Sequence, residues 1–137
     1  MKINIGGIAK KDLTHRSLDI PSHVAEWADK YFHQSAFDVP TRYPSRKVLE
    51  FLSLLKKDQP VRLFRGLNKF NKDTTLITSW TYDRKIAERY AGNGRVAERS
   101  FSPLQILLDT TILTNRQRQQ LGYDYKFDDK EVLILGY

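Results

Sequence analysis

A chain of 137 residues, 40% of them hydrophobic, is long enough for one domain with its own core and too apolar to be read as disordered. Twenty-three Lys and Arg against 16 Asp and Glu leave a net charge of +7, which steers polyanions, acidic proteins or phosphorylated small molecules without choosing among them. The absence of cysteine excludes disulfides and thiolate zinc sites, His15, His23 and His33 form no ligand cluster in sequence, and no run of 18 apolar residues is present. With no secretory signal pattern in MKINIGGIAKKD, the expectation is a soluble, cytoplasmic protein with no metal site and no membrane partner.

From Pro21 onward, Val24, Trp27, Ala28, Tyr31 and Phe32 recur at the three-and-four spacing of one helix face. A second helix is predicted from Ser45 as N-cap, with Val48, Phe51, Leu52 and Leu55 inward and Lys56 and Lys57 at the negative end of its dipole. Pro60 closes it. Short β-prone runs follow at 61–65, 75–80, 95–101, 104–113 and 131–136. Between the second and third, Asp83 can cap a short helix whose Ile86, Ala87, Tyr90 and Ala91 share a face and which stops at Gly92. Residues 114–130 read as a long polar loop interleaved with Tyr123, Tyr125 and Phe127, and loops of that length in small domains commonly carry function. The chain thus reads as a single α+β domain over residues 1–137, mainly helical in 1–60 and mainly strands in 61–137.

Three polar residues punctuate the predicted strands: Arg65 in VRLFRGL, Ser79 in LITSWTYD and Glu131 in DDKEVLILGY. Buried strands normally reject charge, so an arginine and a glutamate at strand ends point to one polar cleft in an apolar core, if the strands are neighbours. Alternation puts Arg65 with Val61 and Leu63, Ser79 with Thr81, and Glu131 with Leu133 and Leu135, while Trp80 points the other way into packing. A structural alternative is an Arg65–Glu131 ion pair, with Ser79 satisfying backbone groups. Glu98 and Asp109 are rival carboxylates without a comparable surrounding motif.

The segments Leu63-Phe64-Arg65-Gly66-Leu67, Ser79-Trp80-Thr81 followed by a helix with Ala87 and Tyr90-Ala91, and Asp129-Lys130-Glu131-Val132-Leu133-Ile134 resemble, in order and spacing, the arginine–serine–glutamate class of mono-ADP-ribosyltransferases. The likeness spans roughly residues 61–136 and includes small phage and toxin-like enzymes. It implies an α+β, ADP-ribosyltransferase-like split β-sandwich of two small sheets with amino-terminal helices packed on it, holding NAD as substrate in the cleft. On that resemblance Arg65 contacts phosphate and ribose, Gly66 allows close approach of the nicotinamide amide, Ser79 lies near the nicotinamide ribose and holds Glu131, Thr81 completes the motif, and Glu131 is the catalytic carboxylate. Asp129, where arginine-modifying relatives generally carry glutamate, would serve acceptor recognition together with Tyr123 and Tyr125.

The function implied is transfer of ADP-ribose from NAD to a protein acceptor of the host cytoplasm, with release of nicotinamide. Arginine leads among acceptors, and the transcription or translation machinery among partners. Two alternatives stand beside it: a transfer-inactive NAD-binding or NAD glycohydrolase relative, and a basic nucleic-acid-binding domain using Lys69, Phe70, Lys72, Arg116, Arg118 and the loop aromatics.

Overall fold

The computed structural model describes residues 18–33, 43–68, 77–123 and 129–135. Contacts divide the chain into two compact units, residues 1–55 with 112–126 and residues 56–111 with 127–137.

In the first unit, helix α1 (Ser22–Phe32) starts after Pro21 and buries Val24 and Ala28. Trp27 stacks on Tyr31 with ring centroids 5.5 Å apart, so the aromatic side of the predicted stripe packs partly against itself. Helix α2 (Arg46–Leu52) begins where the Ser45 hydroxyl accepts the Val48 amide at 3.3 Å. A 3-10 turn, Ser53–Leu55, extends it and buries Leu55, so the predicted face holds while the last turn tightens. Helix α4 (Asn115–Gln120) replaces the start of the expected polar loop. Its cause is a capping box: the Thr114 hydroxyl accepts the Gln117 amide at 3.1 Å, and the Gln117 side chain accepts the Thr114 amide at 2.9 Å. Gln117 also donates to the Leu18 carbonyl, and Gln120 accepts the Ile20 amide, so this polar helix ties down residues 18–20.

The second unit holds the sheet, ordered β3-β1-β2-β5-β4 and antiparallel throughout, from β1 (Val61–Leu67), β2 (Ile77–Thr81), β3 (Arg95–Phe101), β4 (Ile106–Asp109) and β5 (Glu131–Leu135). One face carries the core: Val61, Leu63, Trp80, Phe101, Ile106, Val132 and Ile134. Trp80 meets Phe101 edge-on, as the alternation argument requires of a residue facing away from Ser79. Helix α3 (Arg84–Ala91) starts at Asp83, whose carboxylate accepts the Lys85 amide at 2.9 Å, and stops at Gly92 with φ 56°. That amide and the nearby Lys130 ammonium, opposed by some desolvation, hold the Asp83 carboxyl below its usual range. Ile86, Ala87 and Ala91 are buried as predicted, but Tyr90 is 56% exposed.

The chain is therefore mixed α+β, with four α-helices and one five-stranded antiparallel sheet among the described residues. Where the sequence suggested two small sheets, a single bridge makes one. The β1–β3 ladder pairs seven residues and the β2–β5 ladder five, whereas β1 and β2 share only the pair Phe64 and Thr81. The predicted run 104–113 is also broken up: Pro103–Gln105 and Thr110–Ile112 are 3-10 turns flanking a four-residue β4. Asp109 ends the strand by accepting the Thr111 amide (2.9 Å) and hydroxyl (2.6 Å), a local bond that outcompetes continued pairing.

Candidate active site

The weak join between β1 and β2 makes the site. On a regular strand Arg65 shares the core face with Leu63, whereas Ser79 and Glu131 occupy the opposite face, so an unbroken sheet would keep them apart. With only the Phe64–Thr81 pair holding the two ladders together, the Arg65 guanidinium enters the gap and donates to the Ser79 carbonyl at 2.8 Å. Ser79 pairs with Leu133 and Thr81 with Glu131, which sets Ser79 and Glu131 diagonally on one face. The Ser79 hydroxyl donates to the Glu131 carboxylate. Arg65, Gly66, Ser79, Tyr90, Asp129 and Glu131 line a cavity of about 360 Å³ within this unit, in the size range of small-molecule sites. Comparison of the chain with protein-family models, characterised proteins and solved structures finds no match.

Two expected contacts acquire a different local reason. A Cβ on Gly66 would overlap the Ala87 carbonyl oxygen and lie 2.5 Å from the Ala91 nitrogen, so the glycine lets α3 press onto β1 whatever else enters the cavity. The Thr81 hydroxyl donates to the Asp129 carbonyl at 2.6 Å and accepts the Asp83 amide at 3.1 Å, which fixes the entry to β5. Its side chain is occupied in holding the wall.

Asp129 lines the cavity, though not by continuing the strand. β5 starts at Glu131, and Lys130 has φ 49°, so the alternation expected to aim both carboxylates one way does not extend to Asp129. The Asp129 carboxylate instead accepts the Tyr90 hydroxyl. That bond, reinforced by desolvation and by the charges of Asp129 and Glu131, raises the Tyr90 hydroxyl from 10.0 to about 12. Tyr90 is thus a cavity residue whose three-and-four spacing predicts only a helix face shared with Ile86, Ala87 and Ala91; the bond to Asp129 shows where its phenol lies.

Tyr90→Phe is expected to lower stability near neutral pH by up to about 1 kcal/mol, the usual net worth of one hydrogen bond, since the bond to Asp129 is lost. At high pH the two proteins should converge. A tyrosine whose folded value exceeds its unfolded one lends stability that is complete below pH 10.0 and is lost as pH rises toward about 12. Urea midpoints measured at pH 9, 10 and 11 should therefore fall less steeply in Tyr90→Phe than in the wild type, and equal slopes would remove the Tyr90–Asp129 bond from the account.

The remaining candidates lie elsewhere. Tyr123 is 8% exposed and meets Phe32 edge-on at 4.9 Å in the first unit, so its ring anchors the end of α4 against α1. Tyr125, Lys69, Phe70 and Lys72 are outside the described residues. Arg116 pairs with Asp19 at 3.0 Å, and the Arg118 guanidinium lies over the Tyr123 ring at 5.9 Å. Glu98 is engaged by Arg62 and Arg84 on the surface. Asp109, fully buried, accepts the Tyr82 hydroxyl at 2.6 Å; burial and then this carboxylate push the Tyr82 pKa upward. Neither rival carboxylate lines the cavity. Among the described residues no group of three His, Cys, Asp or Glu side chains could hold a metal ion, and no helix is long and apolar enough to cross a membrane.

Proposed function

We propose that the chain is an NAD-dependent mono-ADP-ribosyltransferase that cleaves the bond between nicotinamide and ribose and transfers ADP-ribose to a protein side chain, with arginine the favoured acceptor. The observation that carries this reading is the Ser79 hydroxyl bound to the Glu131 carboxylate in the same cavity as Arg65. A purely structural Arg65–Glu131 pair accounts for less, since it leaves the shared cavity and the Ser79–Glu131 bond without a role.

Nicotinamide leaves with the electron pair of the glycosidic bond, and positive charge develops on the ribose carbon and ring oxygen, as in glycoside cleavage. Glu131 faces that charge and accepts a hydrogen bond from a ribose hydroxyl. Ser79 restricts the carboxylate to one orientation, which lowers the reorganisation needed as charge appears. Arg65 offers a forked, permanently charged donor to phosphate. The acceptor nitrogen then bonds to the ribose carbon and loses its proton. Asp129 can take that proton once the incoming group displaces the Tyr90 hydroxyl.

The test is incubation of wild type and Glu131→Gln with NAD labelled in the adenylate phosphate and a cytoplasmic lysate, read by protein-bound label and mass spectrometry. Label transfer that depends on Glu131 supports the proposal and names the modified side chain. NAD loss without protein label would reassign the chain as a glycohydrolase, and label or turnover indifferent to Glu131 would end the reading.

A further inference from the structure

Glu131 is the first residue of β5, the least supported place on a strand. On one side it pairs with Thr81 of β2. On the other side β4 pairs with β5 through Ile106–Ile134, Leu108–Leu133 and Asp109–Val132. There the ladder ends, because the Asp109 carboxylate captures Thr111 and turns the chain into the Thr110–Ile112 3-10 turn. The next ladder step would have fallen at Glu131. In its place the Thr110 hydroxyl, fully buried, donates to the Glu131 carbonyl at 2.7 Å.

We propose that Thr110 is a positioning residue for the Glu131 carboxylate: its hydroxyl takes over from the terminated β4 ladder and fixes the backbone from which the carboxylate projects. The inference rests on Glu131 being the catalytic carboxylate. Asp109 sets the turn, Thr110 delivers the hydroxyl, and Ser79 restrains the carboxylate at the far end of the same side chain, so backbone and tip of Glu131 are held by separate side chains. Lys130, with φ 49°, gives the chain a sharp change of direction immediately before Glu131. That turn is held from the β2 side by the Tyr82 amide on the Lys130 carbonyl at 3.3 Å and the Thr81 hydroxyl on the Asp129 carbonyl at 2.6 Å, which leaves the β4 side to Thr110. Valine matches threonine in shape but offers no donor, whereas serine keeps the donor and drops the methyl.

The experiment compares wild type, Thr110→Val, Thr110→Ser and Glu131→Gln for nicotinamide release from NAD, with kcat and KM determined separately and folding checked by circular dichroism. Thr110→Val is expected to lower kcat by tenfold to a hundredfold, on the order of the effect of an ångström-scale misplacement of a catalytic group, while the KM for NAD stays within about twofold. Thr110→Ser should recover most of the loss. If Thr110→Val does not fold, Thr110→Ala, which also lacks the hydroxyl, carries the same comparison with serine. A wild-type kcat in the folded variant lacking the hydroxyl, or equal loss in the serine variant, would overturn the positioning role while a dead Glu131→Gln protein leaves the enzyme reading intact. Wild type that releases no nicotinamide would sink that reading, and this inference with it.

Discussion

Glu131→Gln is expected to slow nicotinamide release about a thousandfold while changing NAD affinity only a few-fold. A unit charge facing developing ribose charge at about 4 Å, with an effective dielectric near 20, is worth roughly 4 kcal/mol, which corresponds to about a thousandfold in rate. Glutamine keeps the shape and can still accept the Ser79 hydroxyl through its carbonyl oxygen, so the cavity wall survives and only the charge is lost. The positive charge on ribose exists in the transition state and not in bound NAD, so the loss belongs in kcat. Nicotinamide quantified by chromatography, beside calorimetric titration with NAD, checks both halves. Equal kcat in the two proteins would remove Glu131 from the chemistry; a large loss of affinity with unchanged kcat would make it a binding group.

Gly66→Ala should unfold or severely destabilise the second unit, by more than about 3 kcal/mol, since the new methyl meets the backbone of α3 at Ala87 and Ala91 and cannot be relieved by a side-chain rotation. Gly92→Ala makes an informative partner. At Gly92 nothing lies within 4 Å of a built Cβ, but φ is +56° with ψ −113°, outside even the left-handed helical region, so the cost there is backbone strain of about 1–3 kcal/mol. Urea unfolding should therefore rank wild type above Gly92→Ala and Gly92→Ala above Gly66→Ala. The reverse order would mean that α3 can lift off β1 at little cost, and with it the wall that carries Tyr90.

Much of this molecule follows from residue order. The spacing of Ile86, Ala87 and Ala91 between Asp83 and Gly92 specifies α3 to the residue, because cap, stripe and stop agree. Ser45 and the Val48–Leu52–Leu55 stripe do the same for α2 and its 3-10 extension. Strand runs around Arg65, Ser79 and Glu131 are legible as apolar segments with one polar intruder each. Their adjacency is not, since register depends on pairing between segments far apart in the chain.

Local polar chemistry explains the misses. The Thr114–Gln117 capping box makes α4 from a segment whose lack of apolar periodicity reads as loop. Asp109 cuts an apolar run that periodicity alone would continue. Lys130, by adopting a left-handed φ, breaks the alternation that would have aimed Asp129 and Glu131 alike. Gly66 was legible as a point of close approach, but the approaching backbone is that of α3. The bonds of Tyr90 and Thr110 are not legible in the sequence, because each reaches a residue many positions away.

The central claim is that the cavity between the β3–β1 and β2–β5–β4 ladders receives the nicotinamide end of NAD. A crystal structure of the Glu131→Gln protein soaked with NAD tests it most directly. The expected result is a nicotinamide ribose within hydrogen-bonding distance of Ser79 and Gln at position 131, with a phosphate on the Arg65 guanidinium. Density for NAD elsewhere on the chain, or an empty cavity at saturating NAD, would contradict it.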